Sequence, residues 1–254
     1  MAEEVCPDCG GSGWKIVERD GVSGAERCEC ARVGRSERFE ESAGIPPLYR
    51  NASFDSFQIP KDNDLAARDL SALCQTVLNY AHEFPVGLKP GLLLIGDPGS
   101  GKTHLAVAAL RRIIAKGFQG VFFDYQNLLD RIRSGFDPNS GTSDREAYRV
   151  ALDAEVLLLD DLGAHRVLPW IEDVVTAVIT HRCNNRLPLI ATTNLPDAEA
   201  GDRISHKQAD GTVDYRRTLA DQIGQRARSR LFEMCKVVHM PLVRDFRLRK
   251  TSAF

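Results

Sequence analysis

The stretch "GLLLIGDPGSGKTHLA", residues 91–106, constrains this chain more than any other. An apolar run stops at a turn holding Gly96, Gly99 and Gly101, and a helical pattern starts directly after it. Glycines let backbone N–H groups curl around an anion without side-chain obstruction. The following helix adds the positive end of its dipole to the same anion. Gly96, Gly101, Lys102 and Thr103 fit the spacing G-x-x-x-x-G-K-[ST], in the strand-then-helix setting that this motif requires. A plain glycine turn is the alternative, and that setting argues against it. The expected phosphate-holding stretch is Gly96, Asp97, Pro98, Gly99, Ser100, Gly101, Lys102, Thr103 and His104. Lys102 would reach the β- and γ-phosphates of ATP, and the Thr103 hydroxyl would bind Mg²⁺.

The rest of the chain fits an α/β fold around this loop. With 254 residues there is room for one α/β domain and a small appendage. Residues 1–35 are rich in cysteine and glycine, residues 36–63 read as a connector in which Pro46 and Pro47 block a helix, and 64–254 as the main domain. In that domain "GLLLIG", "GVFFDY", "EVLLLDDLG", "LPLIATTN" and "KVVHM" read as five strands alternating with helical patterns, the sign of a mostly parallel sheet. The polar stretch 197–214 reads as a mobile excursion, and the helix over 215–235 as broken near Gly224. Charged residues make up 27% and no apolar run is long enough to span a bilayer, so the expectation is a cytoplasmic protein with no membrane contact. No signal peptide is visible at the N-terminus, which points the same way.

Strand "VLLLDDLG" ends in Asp160 and Asp161. Adjacent carboxylates at the end of a buried strand are costly unless they meet a cation, and that end of an open α/β sheet is where ligands sit. Asp160 is the candidate Mg²⁺ ligand, and Asp161 could orient an attacking water. A helix or turn cap is the bland reading of the pair. "ATTN" ends the next strand at Asn194, whose amide could bond the water or the γ-phosphate.

Cys6, Cys9, Cys28 and Cys30 form C-x-x-C and C-x-C pairs, a spacing that allows four thiolates around Zn²⁺. Disulfides are disfavoured by the odd total of seven cysteines. A module this small cannot build a core, so a metal would be its main stabiliser. Cys74, Cys183 and Cys235 read as buried thiols. The net charge is only −2, so any nucleic-acid contact needs a local basic face. Residues 216–250 provide one, with ten Lys and Arg against Asp221, Glu233 and Asp245.

Taken in order, "GIPPLYRNASFDSF", "GDPGSGKTHLA", "VLLLDDLG", "ATTN" and "QRARSRLFEMC" resemble the DnaC/DnaI helicase loaders and the related IstB transposition ATPases, which are AAA+ proteins. The resemblance implies a five-stranded parallel sheet without a C-terminal lid, preceded by a zinc module. It implies that Asn194 is the sensor-1 residue, Arg230 an arginine finger acting in trans and Arg247 the sensor-2 arginine. It further implies slow ATP hydrolysis, since Asp161 stands where many relatives have Glu. The implied partners are the replicative DNA helicase, single-stranded DNA and further copies of the same chain. Rival readings are an IstB-like transposition helper, a nucleotide-gated zinc adaptor without significant turnover and, more distantly, a small-molecule kinase.

Overall fold

A computed structural model describes residues 6–249, apart from 11, 13, 20–21, 61–62, 136–141, 165–167, 198–204, 208–212, 216 and 244. The main domain is a five-stranded parallel sheet. In chain order its strands are β3 (Gly91–Ile95), β4 (Gly120–Asp124), β5 (Val156–Asp160), β6 (Leu189–Thr193) and β9 (Cys235–His239). Across the sheet they run β4-β5-β6-β3-β9. The three central strands are buried at every position, which is why they read as unbroken apolar runs.

Alternation along each strand builds two cores. Leu92, Leu94, Leu158 and Ile190 face one way. There they meet α2 (Asp64–Glu83) and α3 (Lys102–Ala115), the latter with nine buried residues. Leu93, Ile95, Leu157, Leu159 and Ala191 face the other way. That face is covered by α4 (Tyr125–Gly135), α5 (Thr142–Asp153), α6 (Pro169–Asn184), α7 (Leu219–Ile223) and α8 (Gln225–Met234). The break between α7 and α8 falls at Gly224, where φ is +83° and an added Cβ would lie 2.3 Å from Glu172 Oε1. Tyr80 of α2 is buried and donates its hydroxyl to the Pro90 carbonyl at 2.6 Å.

Three features went unannounced in the sequence. The N-terminal segment carries a hairpin, β1 (Trp14–Arg19) paired antiparallel with β2 (Val22–Arg27). It is followed by a 14-residue helix, α1 (Glu29–Ser42), which crosses the boundary expected at residue 35. The helix stops ahead of the prolines, with Gly44 at φ +71° just past its C-cap, and a single 3₁₀ turn follows at Pro47–Tyr49. The polar excursion contains an antiparallel ribbon, β7 (Ser205–Lys207) and β8 (Val213–Tyr215), whose strands are too short to show a period. Residues 198–204 and 208–212 of that excursion lie outside the described residues, as do Arg216, Arg244 and Lys250 of the basic segment. After β9 the described chain adds one further element, α9 (Phe246–Arg249). Trp14 is half exposed. Cys235 is buried, while Cys74 and Cys183 are only partly so. Among the described residues no helix is long and apolar enough to cross a membrane.

Candidate functional site

The carboxyl ends of β3, β6 and β5 meet at one cleft. The chain leaves β3 through a loop in which Gly99 and Gly101 adopt φ of +73° and +96°, values that L side chains rarely take. Space is closed there too: a Cβ on Gly101 would stand 2.6 Å from Phe57 Cε2. Ser100 is buried and ties the loop by donating its hydroxyl to the Asp97 carbonyl at 2.8 Å. Pro98 is exposed on the outside of the turn.

Lys102 opens α3 and is only 4% exposed. Its ammonium donates to the carbonyls of Gly96 (2.8 Å) and Asp97 (2.9 Å) and to Asn194 Oδ1 (2.6 Å). Burial lowers its pKa, opposed by the carboxylates of Asp161, Asp160 and Asp97. The Asn194 amide then donates to Asp161 Oδ1 at 2.9 Å. Asp161 has φ +53°, a left-handed conformation that Asp tolerates, and its N–H donates to Thr192 Oγ1 at 3.0 Å. The Thr192 hydroxyl donates in turn to Asp160 Oδ1 at 2.6 Å. Lys102, Asn194, Asp161 and Asp160 therefore form one hydrogen-bonded chain across three adjacent strand ends. Strand order explains it, because β6, which Asn194 directly follows, lies between β3 and β5.

Asp160 is 7% exposed, and burial pushes its carboxyl up to about 6. Bonds from Thr192 and Thr103 work against that rise, and the charge of Asp161 adds to it. A buried carboxylate beside the Thr103 hydroxyl is a hard oxygen set, the chemistry that suits Mg²⁺. The cleft measures about 530 Å³. Its phosphate end is lined by residues 99–104, Asp160, Asp161 and Asn194. Its other walls come from Leu48, Tyr49, Phe57 and Pro60 on the connector and from Val243, Phe246 and Arg247 near the C-terminus. The sequence signalled the connector only as a quoted motif without roles.

Arg247 is thus brought to the cleft. Its segment is pinned there by the Phe246 N–H, which donates to the Gly99 carbonyl at 3.1 Å. Arg230 is not. It lies in a separate groove between α6 and α8 with Arg226, Glu172 and Asp173, and pairs with Glu233 at 2.7 Å. His104 borders the cleft, but its Nε2 lies 2.8 Å from the Ser53 carbonyl and 3.2 Å from Ser56 Oγ. It braces the connector.

The four N-terminal cysteines converge as expected. All four sulfurs lie within 4.8 Å of one another, with Cys6–Cys28 at 3.8 Å and Cys9–Cys30 at 3.3 Å. A tetrahedral site with Zn–S near 2.3 Å separates its sulfurs by about 3.8 Å, so the cluster has the size and softness for Zn²⁺. Cys28 is also the N-cap of α1, and Cys30 sits in its first turn. The cluster is therefore joined directly to the helix leading toward the cleft.

The sequence profile of the family described as IstB-like ATP binding protein matches residues 29–211. The chain belongs to that family. The matched span includes the phosphate loop, Asp160, Asp161 and Asn194, and stops short of Arg230 and Arg247. The replicative helicase loader DnaC of Escherichia coli (strain K12) is 24% identical over 163 residues, 64% of this chain and 63% of the loader. The chain thus spans a little under two thirds of that relative's length. Among solved structures, a crystal structure of the DnaC helicase loader is 31% identical, with a TM-score of 0.61 over 77% of this chain and all of that one. The structure of DnaI shares the fold, at 19% identity and a TM-score of 0.58 over 77% of this chain and 94% of that one.

Proposed function

We propose that this IstB-like protein is a slow ATPase that uses ATP as a switch while helping to load a replicative DNA helicase onto single-stranded DNA. The observation that carries the ATPase part is the hydrogen-bonded chain from Lys102 through Asn194 to Asp161. It ties the phosphate loop to the residue suited to orient water. Helicase loading is supported by the likeness to DnaC, which covers the full length of the DnaC helicase loader structure.

In this reading Lys102 and the loop N–H groups hold the phosphates. The Thr103 hydroxyl and the Asp160 carboxylate would hold Mg²⁺, which when bound neutralises charge building on the phosphate oxygens. Asp161 positions the water. Asn194 reports the γ-phosphate: Lys102 must release its amide oxygen to reach the nucleotide, and that changes how the amide holds Asp161. Arg247 meets phosphate from the same chain. Arg230, remote from its own cleft, acts on the cleft of a neighbouring copy in an ATP-dependent oligomer. Residues 1–35, stapled by Zn²⁺, grip the helicase, residues 36–63 link them to the ATPase, and the basic C-terminal face meets DNA. The protein would work in the cytoplasm.

ATP binding and turnover, with and without single-stranded DNA, test the reading together with affinity capture from the native cell. Lys102→Ala is expected to lose ATP binding by at least about 100-fold, because charge-assisted phosphate bonds are each worth about 1.5–3 kcal/mol. Equal affinity in wild type and variant would refute the site. Capture of a transposase in place of the helicase would move the assignment to a transposition helper. Binding without turnover in any assembly would make the chain a nucleotide-gated adaptor.

A further inference from the structure

Tyr49 belongs to the connector motif and lines the cleft, yet has no role in the site described above. It lines the cleft together with Thr103, Asp160, Asp161 and Arg247, with its hydroxyl beside the Thr103 side chain. The ring is half buried in the cleft wall. A phenol can both accept and donate a hydrogen bond.

The backbone holds this side chain firmly. Tyr49 closes the 3₁₀ turn, its N–H donating to Pro46 at 2.9 Å and its carbonyl accepting from Ala52 at 2.9 Å. Arg111 of α3 clamps the chain on both sides of it. The Arg111 guanidinium bonds Glu40 at the end of α1 (2.6 Å) and the Ala52 carbonyl (2.8 Å). The helix that carries Thr103 therefore also fixes the segment that carries Tyr49. A phenylalanine would fill the same wall equally well, so packing does not require the hydroxyl.

We infer that Tyr49 is a positioning residue for the cation of this cleft, its oxygen accepting a hydrogen bond from a water on the Mg²⁺ that Thr103 and Asp160 would hold. Mg²⁺ gives up its waters reluctantly and usually keeps several in protein sites. Groups that hold such outer ligands typically change metal affinity by about 10–100-fold. This inference rests on the ATP-binding role proposed above.

The test is Tyr49→Phe in the full-length chain, read by binding of a fluorescent non-hydrolysable ATP analogue at increasing Mg²⁺. The Mg²⁺ needed for half-maximal binding is expected to rise about 10-fold. Affinity for the analogue without Mg²⁺, and the unfolding midpoint, are expected to match wild type. An unchanged Mg²⁺ requirement overturns the inference. So does a parallel loss of metal-free and metal-dependent binding, which would make Tyr49 a packing residue. If the wild-type chain shows no Mg²⁺-dependent nucleotide binding, the ATP reading falls and this inference with it. If the wild type shows it and Tyr49→Phe equals the wild type, only the role of Tyr49 falls.

Discussion

Replacing Asp160 by Asn is expected to stabilise the free protein while disabling its site. Burial is the largest influence on Asp160 and raises its pKa from 3.8 to about 6. At pH 7.5 the group is ionised in both folded and unfolded chains, so the folded chain carries the whole penalty. Each pKa unit corresponds to 1.36 kcal/mol, which places that penalty at about 3 kcal/mol as an upper figure. The new amide nitrogen must find its own partner in a site built around a carboxylate, which offsets about 1 kcal/mol. A net gain of about 2 kcal/mol remains. The sign with pH follows from the raised folded value. Between about pH 4 and 6 the folded wild type binds more protons than the unfolded chain, so its stability falls as pH rises through that window and levels off above it. Asn does not titrate, and groups remote from the site cancel between the two proteins; the buried Lys102 ammonium loses the support of the Asp160 charge, which trims the gain.

Urea unfolding at pH 4.5, 6 and 7.5, without Mg²⁺ or nucleotide, therefore measures a difference that starts small and grows in favour of Asp160→Asn. Adding Mg²⁺ and an ATP analogue should reverse the order, because only the wild type then gains binding energy. An Asn variant less stable than wild type at pH 7.5, or a difference that ignores pH, would refute the reasoning. The Asp160 carboxylate would then be no reservoir of unfavourable energy awaiting a cation.

Other expectations are more local. Arg182 is fully buried and donates to the carbonyls of Ala151, Leu152, Ala154 and Pro188, with burial lowering its pKa to about 10. Arg182→Lys cannot reproduce the fork and should lose about 3 kcal/mol in urea unfolding, and an unchanged midpoint would mean that water already serves those carbonyls. The purified chain should carry about one Zn²⁺, falling towards none in Cys9→Ser, with faster hydrogen exchange in the first turn of α1. Metal-free wild type from fresh, reduced preparations would remove the zinc site. Arg230→Ala should bind ATP normally yet turn it over poorly, and mixing it with Lys102→Ala should restore turnover if the arginine acts across subunits.

The parts of the fold set by local pattern were legible in the sequence. The central strands announce themselves because both faces of a parallel strand are buried, and the phosphate loop because its geometry demands glycine. α1 was not legible for an equally physical reason. "ECARVGRSERFEES" offers almost no apolar stripe, and its anchors are a cysteine N-cap, the Arg111–Glu40 pair and the Phe122 N–H on the Ala43 carbonyl at 2.7 Å. Nothing local marks Arg182 for burial, since three of its carbonyl partners wait at the end of α5 and the fourth is Pro188, ahead of β6.

His104 and Arg230 mark two different limits. His104 follows the loop's Lys-Thr pair, so adjacency suggested a phosphate contact. A helix turns each successive side chain by about 100°, and its ring meets the connector at Ser53 and Ser56. Arg230 is harder. It is exposed beside Glu233, in a groove that its own chain leaves open between α6 and α8. An arginine whose task is completed by another copy leaves no more trace in one chain than a surface ion pair, and such pairs are worth little to stability. Glu233 would then hold the guanidinium in place until a neighbouring phosphate offers it a stronger partner, and the mixing experiment is what separates that role from an ordinary solvated pair.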